Sequence, residues 1–387
     1  MKIIAFYLPQ FHNIPENDEW WGDGFTEWVN VKNAKPLYDG HVQPKEPWGD
    51  NYYNLLDDNV KIWQAKLAKE YGIYGFCYYH YWFNGKLLLE KPMEQMLKNK
   101  EIDLPFCISW ANEPWTKAWV NEKKVLIPQS YGGKKEWKEH FDYLLPFFKD
   151  NRYIRIDNKP LMVIYRAEVI NCLNEMLDYW NNLAKESGLD GLSYAYQNLT
   201  FDLMPNKDDS RFDYNIEFEP SYAWYDLNSE SGLKSTKFWK CLRQAKGWLY
   251  SKVEKVVGFD LERKLEKKEN LIRTSYQKAW DKILQRVPSS NKNIPGAFVA
   301  WDNTPRKKMR GQVYEGSTPE IFEKNLEKQI RRARGVYQKD IIFMYAWNEW
   351  AEGGYLEPDK EHGFGYLEAI KNALIKTDEF PWCKNED

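Results

Sequence analysis

The sequence predicts a single α/β domain, a (β/α)8 barrel of the TIM type. Eight short apolar segments alternate with amphipathic helical patterns, and polar or aromatic side chains follow most of these segments. Such alternation implies parallel βα units, and eight of them imply a closed barrel whose functional groups lie at the carboxyl ends of the strands. The alternative is an open doubly wound sheet. That fold usually carries a glycine-rich phosphate turn after its first strand, and none is present here.

The predicted elements follow one another in a regular order. The strands are residues 2–8, 73–79, 105–109, 160–165, 192–197, 213–218, 296–301 and 341–347. Helical periodicity covers residues 57–71, 93–100, 134–148 and 174–187. Gly72 follows the first helix at the position where glycine is preferred. Residues from about 220 to 294 interrupt the alternation as a lysine-rich, mostly helical insertion, whose charges we interpret as a solvated helix face. No repeat or linker is present, so residues 1–387 are predicted to form one domain.

The composition favours a ligand that contains rings. Aromatic residues make up 17% of the chain, with 19 Trp and 26 Tyr, and both types offer an apolar face with a polar handle. A net charge of −2 argues against a nucleic-acid footprint. The five cysteines are scattered without a CxxC pair, which is typical of reduced thiols. No apolar stretch has membrane-spanning length, and a strand begins where a signal peptide would lie, so we expect a cytoplasmic protein.

The most informative polar cluster follows the last predicted strand. Glu349 and Glu352 lie three residues apart, and Trp347, Trp350 and Tyr355 flank them. Glycoside hydrolysis uses one carboxylic acid that retains its proton, one ionised carboxylate and aromatic faces for the sugar ring. A glutamate at the end of a strand can instead cap a helix or pair with an arginine. We interpret Glu349 and Glu352 as the catalytic pair because so many such groups converge in this short segment.

Further polar and aromatic side chains follow the other predicted strands, and in a barrel these ends share one rim. One sugar pocket would collect them, and Glu217 lies at the same rim. Two candidate histidines are too few for a catalytic metal, so we expect no metal or cofactor. The expected substrate contacts are Tyr7, Gln10, His12, Trp28, His80, Trp82, Trp110, Asn112, Glu113, Trp115, Arg166, Gln197, Glu219, Trp301, Asp302, Asn348, Trp350 and Tyr355.

Four separated motifs also carry a family resemblance. They are residues 7–12, residues 17–28 continuing through 35–36 and 43–44, residues 110–115, and residues 347–353 followed by 356–358. Together they resemble the WbsX-type proteins, a group often labelled as glycosyltransferases of O-antigen and capsule gene clusters and related to glycoside hydrolase family 99. The resemblance implies a retaining, endo-acting hydrolase fold with an oligosaccharide or polysaccharide substrate. The N-terminal region departs from the family 99 enzymes, so the resemblance does not imply mannose specificity.

The resemblance also implies a mechanism. Glu349 matches the family's base and Glu352 its acid/base. The base would deprotonate the sugar's own 2-hydroxyl, which attacks C1 to give a 1,2-anhydro sugar. The acid/base would protonate the leaving oxygen and later activate water. Both carboxylates can then approach from one side of the scissile bond, whereas an ordinary retaining pair flanks the anomeric carbon.

Three alternatives remain open from the sequence. The Asn112-Glu113-Pro114 segment resembles the acid/base motif of the large retaining barrel clan, but it follows the third strand, one strand early for that clan. We therefore expect Glu113 to contact substrate. A glycosyltransferase would usually show an Asp-x-Asp or glycine-rich diphosphate motif at a strand end, and neither is present. A non-catalytic glycan-binding protein would need the aromatic residues but not both Glu349 and Glu352.

Overall fold

A computed structural model describes residues 1–116, 125–199, 208–229 and 270–381. Its centre is a barrel of eight parallel strands in chain order, which confirms the predicted fold class. The strands are β1 (Lys2–Tyr7), β2 (Ile73–Phe83), β3 (Phe106–Trp110), β4 (Lys159–Ile164), β5 (Ser193–Asn198), β6 (Tyr214–Glu217), β7 (Asn293–Ile294 and Gly296–Phe298) and β8 (Ile341–Tyr345). Each pairs with its neighbour in sequence, and β8 pairs with β1 at Lys2 and Ile341.

The seventh strand closes the ring in two parts. Its first part pairs with β6 and its second part with β8. Pro295 separates them because it has no amide hydrogen to donate, while its carbonyl accepts from the Phe343 amide at 3.3 Å. At Gly296 a Cβ atom would lie 1.9 Å from the carbonyl oxygen of Glu217. Only glycine therefore allows β6 and β7 to approach this closely.

An outer layer of helices surrounds the barrel. The helices are α1 (Asp58–Glu70), α2 (Lys91–Lys98), α3 (Lys134–Phe148), α4 (Leu173–Glu186), α5 (Tyr276–Gln285), α6 (Pro319–Arg332) and α7 (Gly365–Lys376). Side chains that accept from the first helical turn precede three of them, namely Asp57, Ser275 and Thr318. The ends of α1 to α4 lie within two residues of those predicted from periodicity. Among the described residues, no helix is both long and apolar enough to span a bilayer.

Several expected loops contain regular structure. Residues 17–28, expected as one loop, include most of helix Pro15–Trp21 and the start of helix Glu27–Lys32. Two other short helices are Ser221–Ser229 and Thr304–Lys307. The predicted insertion at 220–294 also needs correction at its C-terminal end. There, α5 and the first part of β7 belong to the barrel, whereas residues 230–269 lie outside the described part of the chain.

Short strands outside the barrel connect these loops. They are Lys86–Leu88, Trp115–Thr116, Val125–Ile127, Arg155–Ile156, Ile272–Ser275, Gln312–Glu315, Asn348–Glu349 and Gly354–Tyr355. Inside the barrel, the Phe6 ring packs against Phe218 and Phe343 with centroid distances of 5.3 and 5.4 Å. Phe218 in turn contacts Tyr345 at 5.5 Å. These rings form an apolar layer inside the barrel, beneath the carboxyl ends of the strands.

Candidate active site

A cavity of about 420 Å³ opens at the carboxyl ends of the barrel strands. This is a typical volume for a small-molecule site, and its walls are largely aromatic. It brings together six of the expected site residues, Gln10, Glu113, Trp115, Trp301, Glu349 and Glu352. The other main lining side chains are Tyr79, Tyr81, Phe83, Tyr165, Phe218, Asn303, Arg306, Lys307 and Tyr345.

A tight hairpin after β8 presents the two carboxylates. Asn348 pairs with Tyr355 and Glu349 with Gly354, and a 3-10 turn at Trp350–Glu352 joins the two short strands. Gly353 ends the turn at a φ of 62°, a left-handed conformation that favours glycine. The hairpin is short enough to keep both glutamates on one wall of the cavity.

A single guanidinium joins three carboxylates at this wall. Nη1 of Arg306 lies 2.6 Å from Oε1 of Glu352, and Nη2 lies 3.2 Å from Oε2 of Glu349. Nε lies 3.1 Å from Oε2 of Glu27, the first residue of the short helix Glu27–Lys32 between β1 and α1. The Arg306 side chain is only 6% exposed, so these interactions are weakly screened by water. The planar fork of Arg306 therefore fixes the relative positions of Glu349 and Glu352.

Burial changes the proton affinity of this cluster. Burial raises the pKa of Glu349 to about 8, with Arg306 opposing the rise and the Glu352 and Glu27 carboxylates adding to it. One cation cannot balance three ionised carboxylates in a dry site, so the cluster tends to retain a proton near neutral pH. Burial therefore favours the protonated form of Glu349 near neutral pH.

Glu352 is held at both oxygens. Oε1 accepts from Arg306, and Oε2 accepts from the hydroxyl of Tyr345 at 2.5 Å. Tyr345 is the last residue of β8, so the rigid barrel itself orients this carboxylate. Neither Arg306 nor Tyr345 was among the site residues expected from the sequence.

Two polar atoms beside the cavity have no hydrogen-bond partner in the described part of the chain. They are the amide nitrogen of Gln10 and the indole nitrogen of Trp301. Both residues line the cavity, and buried polar groups are normally hydrogen-bonded.

The expectation for β2 selected the wrong side of the strand. His80 and Trp82 were expected to contact substrate, but β2 continues to Phe83 and its side chains alternate. Tyr79, Tyr81 and Phe83 therefore line the cavity instead.

His80 and Trp82 face the helix layer around His140 of α3. The Nε2 atoms of His80 and His140 lie 2.9 Å apart, and Trp82 stacks on His140 at 4.5 Å. Burial lowers the pKa of His80 to about 3, so the contact joins two neutral rings. We therefore assign His80 and Trp82 to packing rather than to substrate contact.

Five other expected contacts also lie away from the cavity lining. They are Tyr7, His12, Trp28, Trp110 and Gln197. The hydroxyl of Tyr7 donates to Gln64 of α1 at 2.7 Å, so this side chain points outward from the barrel. Gln197 points inward but donates to the Ser109 hydroxyl at 3.0 Å.

The remaining three of these residues bond to backbone carbonyls. His12 Nδ1 lies 3.0 Å from the Pro9 oxygen, Trp28 donates to Tyr53 at 2.8 Å, and Trp110 donates to Trp82 at 3.2 Å. All three side chains are buried. Burial also lowers the pKa of His12 to about 4. These residues stabilise the loops around the site instead of lining it.

Two expected contacts act as clamps between neighbouring loops. Asn348 accepts from the Leu8 amide at 2.8 Å and donates to the Leu8 carbonyl at 3.0 Å. Asn112 binds the amide and carbonyl of Arg166 in the same way, at 2.8 Å each. The Arg166 side chain pairs with Glu168 and with Glu113, which does line the cavity. Both asparagines thus hold the backbone of a neighbouring loop in place. Arg166 can affect the cavity through its ion pair with Glu113.

The other expected contacts also lie outside the cavity lining. Glu217 and Glu219 are buried against Arg286, at 2.9 and 2.6 Å. Trp350 is buried, stacks on Tyr355 at 3.8 Å between centroids and donates to Glu357 at 2.6 Å.

Asp302 accepts from His41 at 2.7 Å and from Gln43 at 2.6 Å. Asp302 and Tyr355 line a neighbouring cavity that Trp301 also borders. Across the described ranges, no group of three or more His, Cys, Asp or Glu side chains is arranged to hold a metal ion.

An aromatic cavity with paired carboxylates at the carboxyl face of a (β/α)8 barrel defines a protein with a glycoside-hydrolase-like fold. The structure resembles a GH99 endo-alpha-mannosidase from Bacteroides thetaiotaomicron, with a TM-score of 0.54, 12% identity and coverage of 97% of each chain. It also resembles a protein described as glycoside hydrolase-like, with a TM-score of 0.55, 12% identity and coverage of 96% and 93%. At these identities the likeness concerns the fold.

Sequence comparison identifies the family to which the chain belongs. The sequence model of the family described as "Glycosyltransferase WbsX" matches residues 3–370, and the chain belongs to this family. The uncharacterized protein WxcX of Xanthomonas campestris pv. campestris (strain B100) is 33% identical over 379 residues, which cover 97% of this chain and 50% of WxcX. The chain therefore spans about half the length of the curated relatives it matches. The resemblance to WbsX-type proteins is confirmed by sequence, and the resemblance to GH99 is confirmed at the level of the fold.

Proposed function

We propose that the protein is a retaining, endo-acting glycoside hydrolase that cleaves bacterial surface polysaccharide of the O-antigen or capsule type. The observation that carries this proposal is the joint binding of Glu349 and Glu352 by Arg306 at the wall of an aromatic cavity. Sugar rings bind to aromatic faces, and their hydroxyls need polar partners such as the carboxylates of the cavity wall. The glycoside-hydrolase-like fold and the family membership support the same class of substrate.

The proposed roles follow the family resemblance. Glu349 takes the proton of the sugar's 2-hydroxyl as O2 attacks C1, while Glu352 gives its proton to the departing glycosidic oxygen. The C1–O bond breaks and a 1,2-anhydro sugar forms. Water then attacks C1 and the C1–O2 bond breaks, while the proton of the water passes to Glu352 and O2 recovers its proton from Glu349. Two displacements at C1 give net retention.

The electrostatics of the pair bear on this route. The reacting state needs Glu349 ionised, whereas burial raises its pKa to about 8, so this carboxyl must lose its proton before O2 attacks. The raised pKa of Glu349 also makes its carboxylate a stronger base, which a weakly acidic hydroxyl requires. Arg306 contacts both carboxylates, so it stabilises negative charge on whichever one is ionised.

The test is turnover of a panel of bacterial surface polysaccharides. Product masses report the bond that is cleaved and whether internal bonds are cut. Proton NMR of the first product reports its anomeric configuration. Oligosaccharides of retained configuration are expected, and inverted products would contradict the anhydro-sugar route.

The family's description favours a second candidate, a glycosyltransferase. A transferase must bind a sugar nucleotide, and two of the carboxylates at the cavity wall would repel its diphosphate unless they were neutralised. Calorimetric titration with UDP- and GDP-sugars separates the two functions. Tight binding of a nucleotide sugar, with no hydrolysis of any glycan, would favour the transferase.

A further inference from the structure

A second cavity of about 260 Å³ lies beside the first. Trp301 borders both. The second cavity is formed by residues 38–45 of the first loop, by the loop after β7 and by the hairpin after β8. None of the proposed catalytic steps uses it.

The wall between the cavities contains the backbone of the catalytic hairpin. The Asp302 amide donates to the Glu352 carbonyl at 2.7 Å. Glu352 lines the first cavity, whereas the next residue, Gly353, lines the second. A Cβ atom at Gly353 would lie 2.8 Å from the Asp302 nitrogen, so the two loops are in direct backbone contact. An occupant of the second cavity would therefore adjoin the peptide that positions Glu352.

The polar groups of the second cavity are fixed in place. The Tyr38 ring stacks on His41 at 4.5 Å, and the Arg273 guanidinium covers Tyr38 at 4.0 Å. Arg273 also pairs with Glu315 at 2.7 Å. Groups that are already ordered lose little entropy when a ligand arrives, which favours a binding role.

The charge of the second cavity selects among sugars. Two cationic side chains of the described lining face five acidic ones. This excess of negative charge disfavours uronic acids and phosphorylated sugars but not neutral hydroxylated rings. The lining residues that carry charge are Lys45 and Arg273 against Asp39, Asp302, Glu315, Asp359 and Glu361.

We propose that the second cavity is a subsite for one neutral sugar residue of the same polysaccharide chain, adjoining the residue whose bond is cleaved. This inference rests on the proposed hydrolase function for its place in the reaction. The volume lies just below the range of about 300–1,000 Å³ that is usual for whole ligands, which suits a single ring. With this subsite, the enzyme cleaves polysaccharide chains in preference to single glycosides.

A substitution at the mouth tests the subsite without altering buried residues. Val42 lines the second cavity and is 49% exposed, so Val42→Trp fills the space from the surface. Val336 is also 49% exposed but borders neither cavity, and Val336→Trp is the matched control. The probes are size-fractionated oligosaccharides from partial acid hydrolysis of the neutral polysaccharide that is cleaved best, with a uronate-containing ladder beside them.

For the wild type, kcat/KM is expected to rise about 10-fold or more at the length that reaches the second cavity, since one buried sugar contact of about 1.4 kcal/mol gives that factor. Val42→Trp should remove this step and leave the shortest substrates within about 2-fold of the wild type. Val336→Trp should keep the step. The inference would be overturned if the increase in kcat/KM with length survived in Val42→Trp, or if Val42→Trp lowered kcat/KM equally at every length. An equal increase on the uronate-containing oligosaccharides would also overturn it.

Binding separates this inference from the proposed function. If no ladder is cleaved, the same fractions derived from neutral surface polysaccharides are titrated calorimetrically into the wild type and both variants. Affinity that increases with length and is lost only in Val42→Trp would support the subsite even though hydrolysis had failed. Absence of any binding, or equal affinity in Val42→Trp, would overturn the subsite.

Discussion

Arg306 and Glu349 are 43 positions apart in sequence, yet Nη2 of the guanidinium lies 3.2 Å from Oε2 of the carboxylate. The pair joins the loops that follow β7 and β8, and the same guanidinium binds Glu352 and Glu27. The relative position and the charge of the two proposed catalytic carboxylates therefore depend on one buried side chain.

Replacing Arg306 should destabilise the fold strongly. Arg306→Met leaves buried carboxylates without their cation, and the expected loss is about 3–5 kcal/mol in the free energy of unfolding by urea at pH 7. Arg331→Met is the control, because Arg331 is 57% exposed and its described contacts, with Glu327 and with the Lys376 carbonyl, lie at the surface. Its expected loss is below about 1 kcal/mol. Equal losses in the two variants would contradict the proposed charge balance.

The raised pKa of Glu349 predicts how stability depends on pH. Folding raises this pKa from 4.5 to about 8, so the folded protein holds a proton that the unfolded chain releases. This contribution is complete below pH 4.5 and is lost as pH rises through about 8. Between pH 5 and 9, the free energy of unfolding by urea should therefore fall more steeply with pH for the wild type than for Glu349→Gln. Parallel pH profiles would show that Glu349 is ionised in the folded protein throughout.

The same proton should set the acid limit of activity. The proposed route needs Glu349 ionised, and Glu349 takes up a proton as pH falls through about 8. The value of kcat/KM should therefore rise with pH up to about this value. A rate that is flat from pH 6 to 10 would contradict a base with this raised pKa.

The hydroxyl of Tyr345 should matter for turnover. It donates to Glu352 at 2.5 Å, and a hydrogen bond to a charged group contributes about 1.5–3 kcal/mol. Tyr345→Phe is expected to lower kcat about 10- to 100-fold, with a smaller effect on KM. Tyr81→Phe is the control, since Tyr81 lines the cavity but makes no described hydrogen bond to either carboxylate. Equal effects of the two substitutions would remove Tyr345 from the mechanism.

The order of the elements was predictable because it depends on local patterns. Apolar runs of strand length and helical periodicity located all eight strands and the first four helices of the outer layer. The end of the supposed insertion was misjudged because β7 is split at Pro295 and its first part has only two residues. A strand that short gives little periodic signal.

The site was only partly predictable because position along a strand does not give the direction of a side chain. The end of β2 was placed at Tyr79. The two residues chosen after it, His80 and Trp82, face outward from the barrel. Counting from Tyr79 in steps of two would have given Tyr81 and Phe83. Arg306 had no local signal, because its partners lie far away in sequence, with Glu27 after β1 and both Glu349 and Glu352 after β8.

The most direct test of the central claim compares Glu349→Gln, Glu352→Gln and Glu113→Gln on a polysaccharide that the wild type cleaves. Glu113 lines the same cavity but pairs with Arg166, so it controls for loss of a cavity carboxylate. Turnover, followed by the mass of released oligosaccharides, should fall about 100-fold or more in the first two variants and far less in Glu113→Gln. Near-normal turnover in Glu349→Gln or Glu352→Gln, with loss in Glu113→Gln, would contradict the assignment of the catalytic pair.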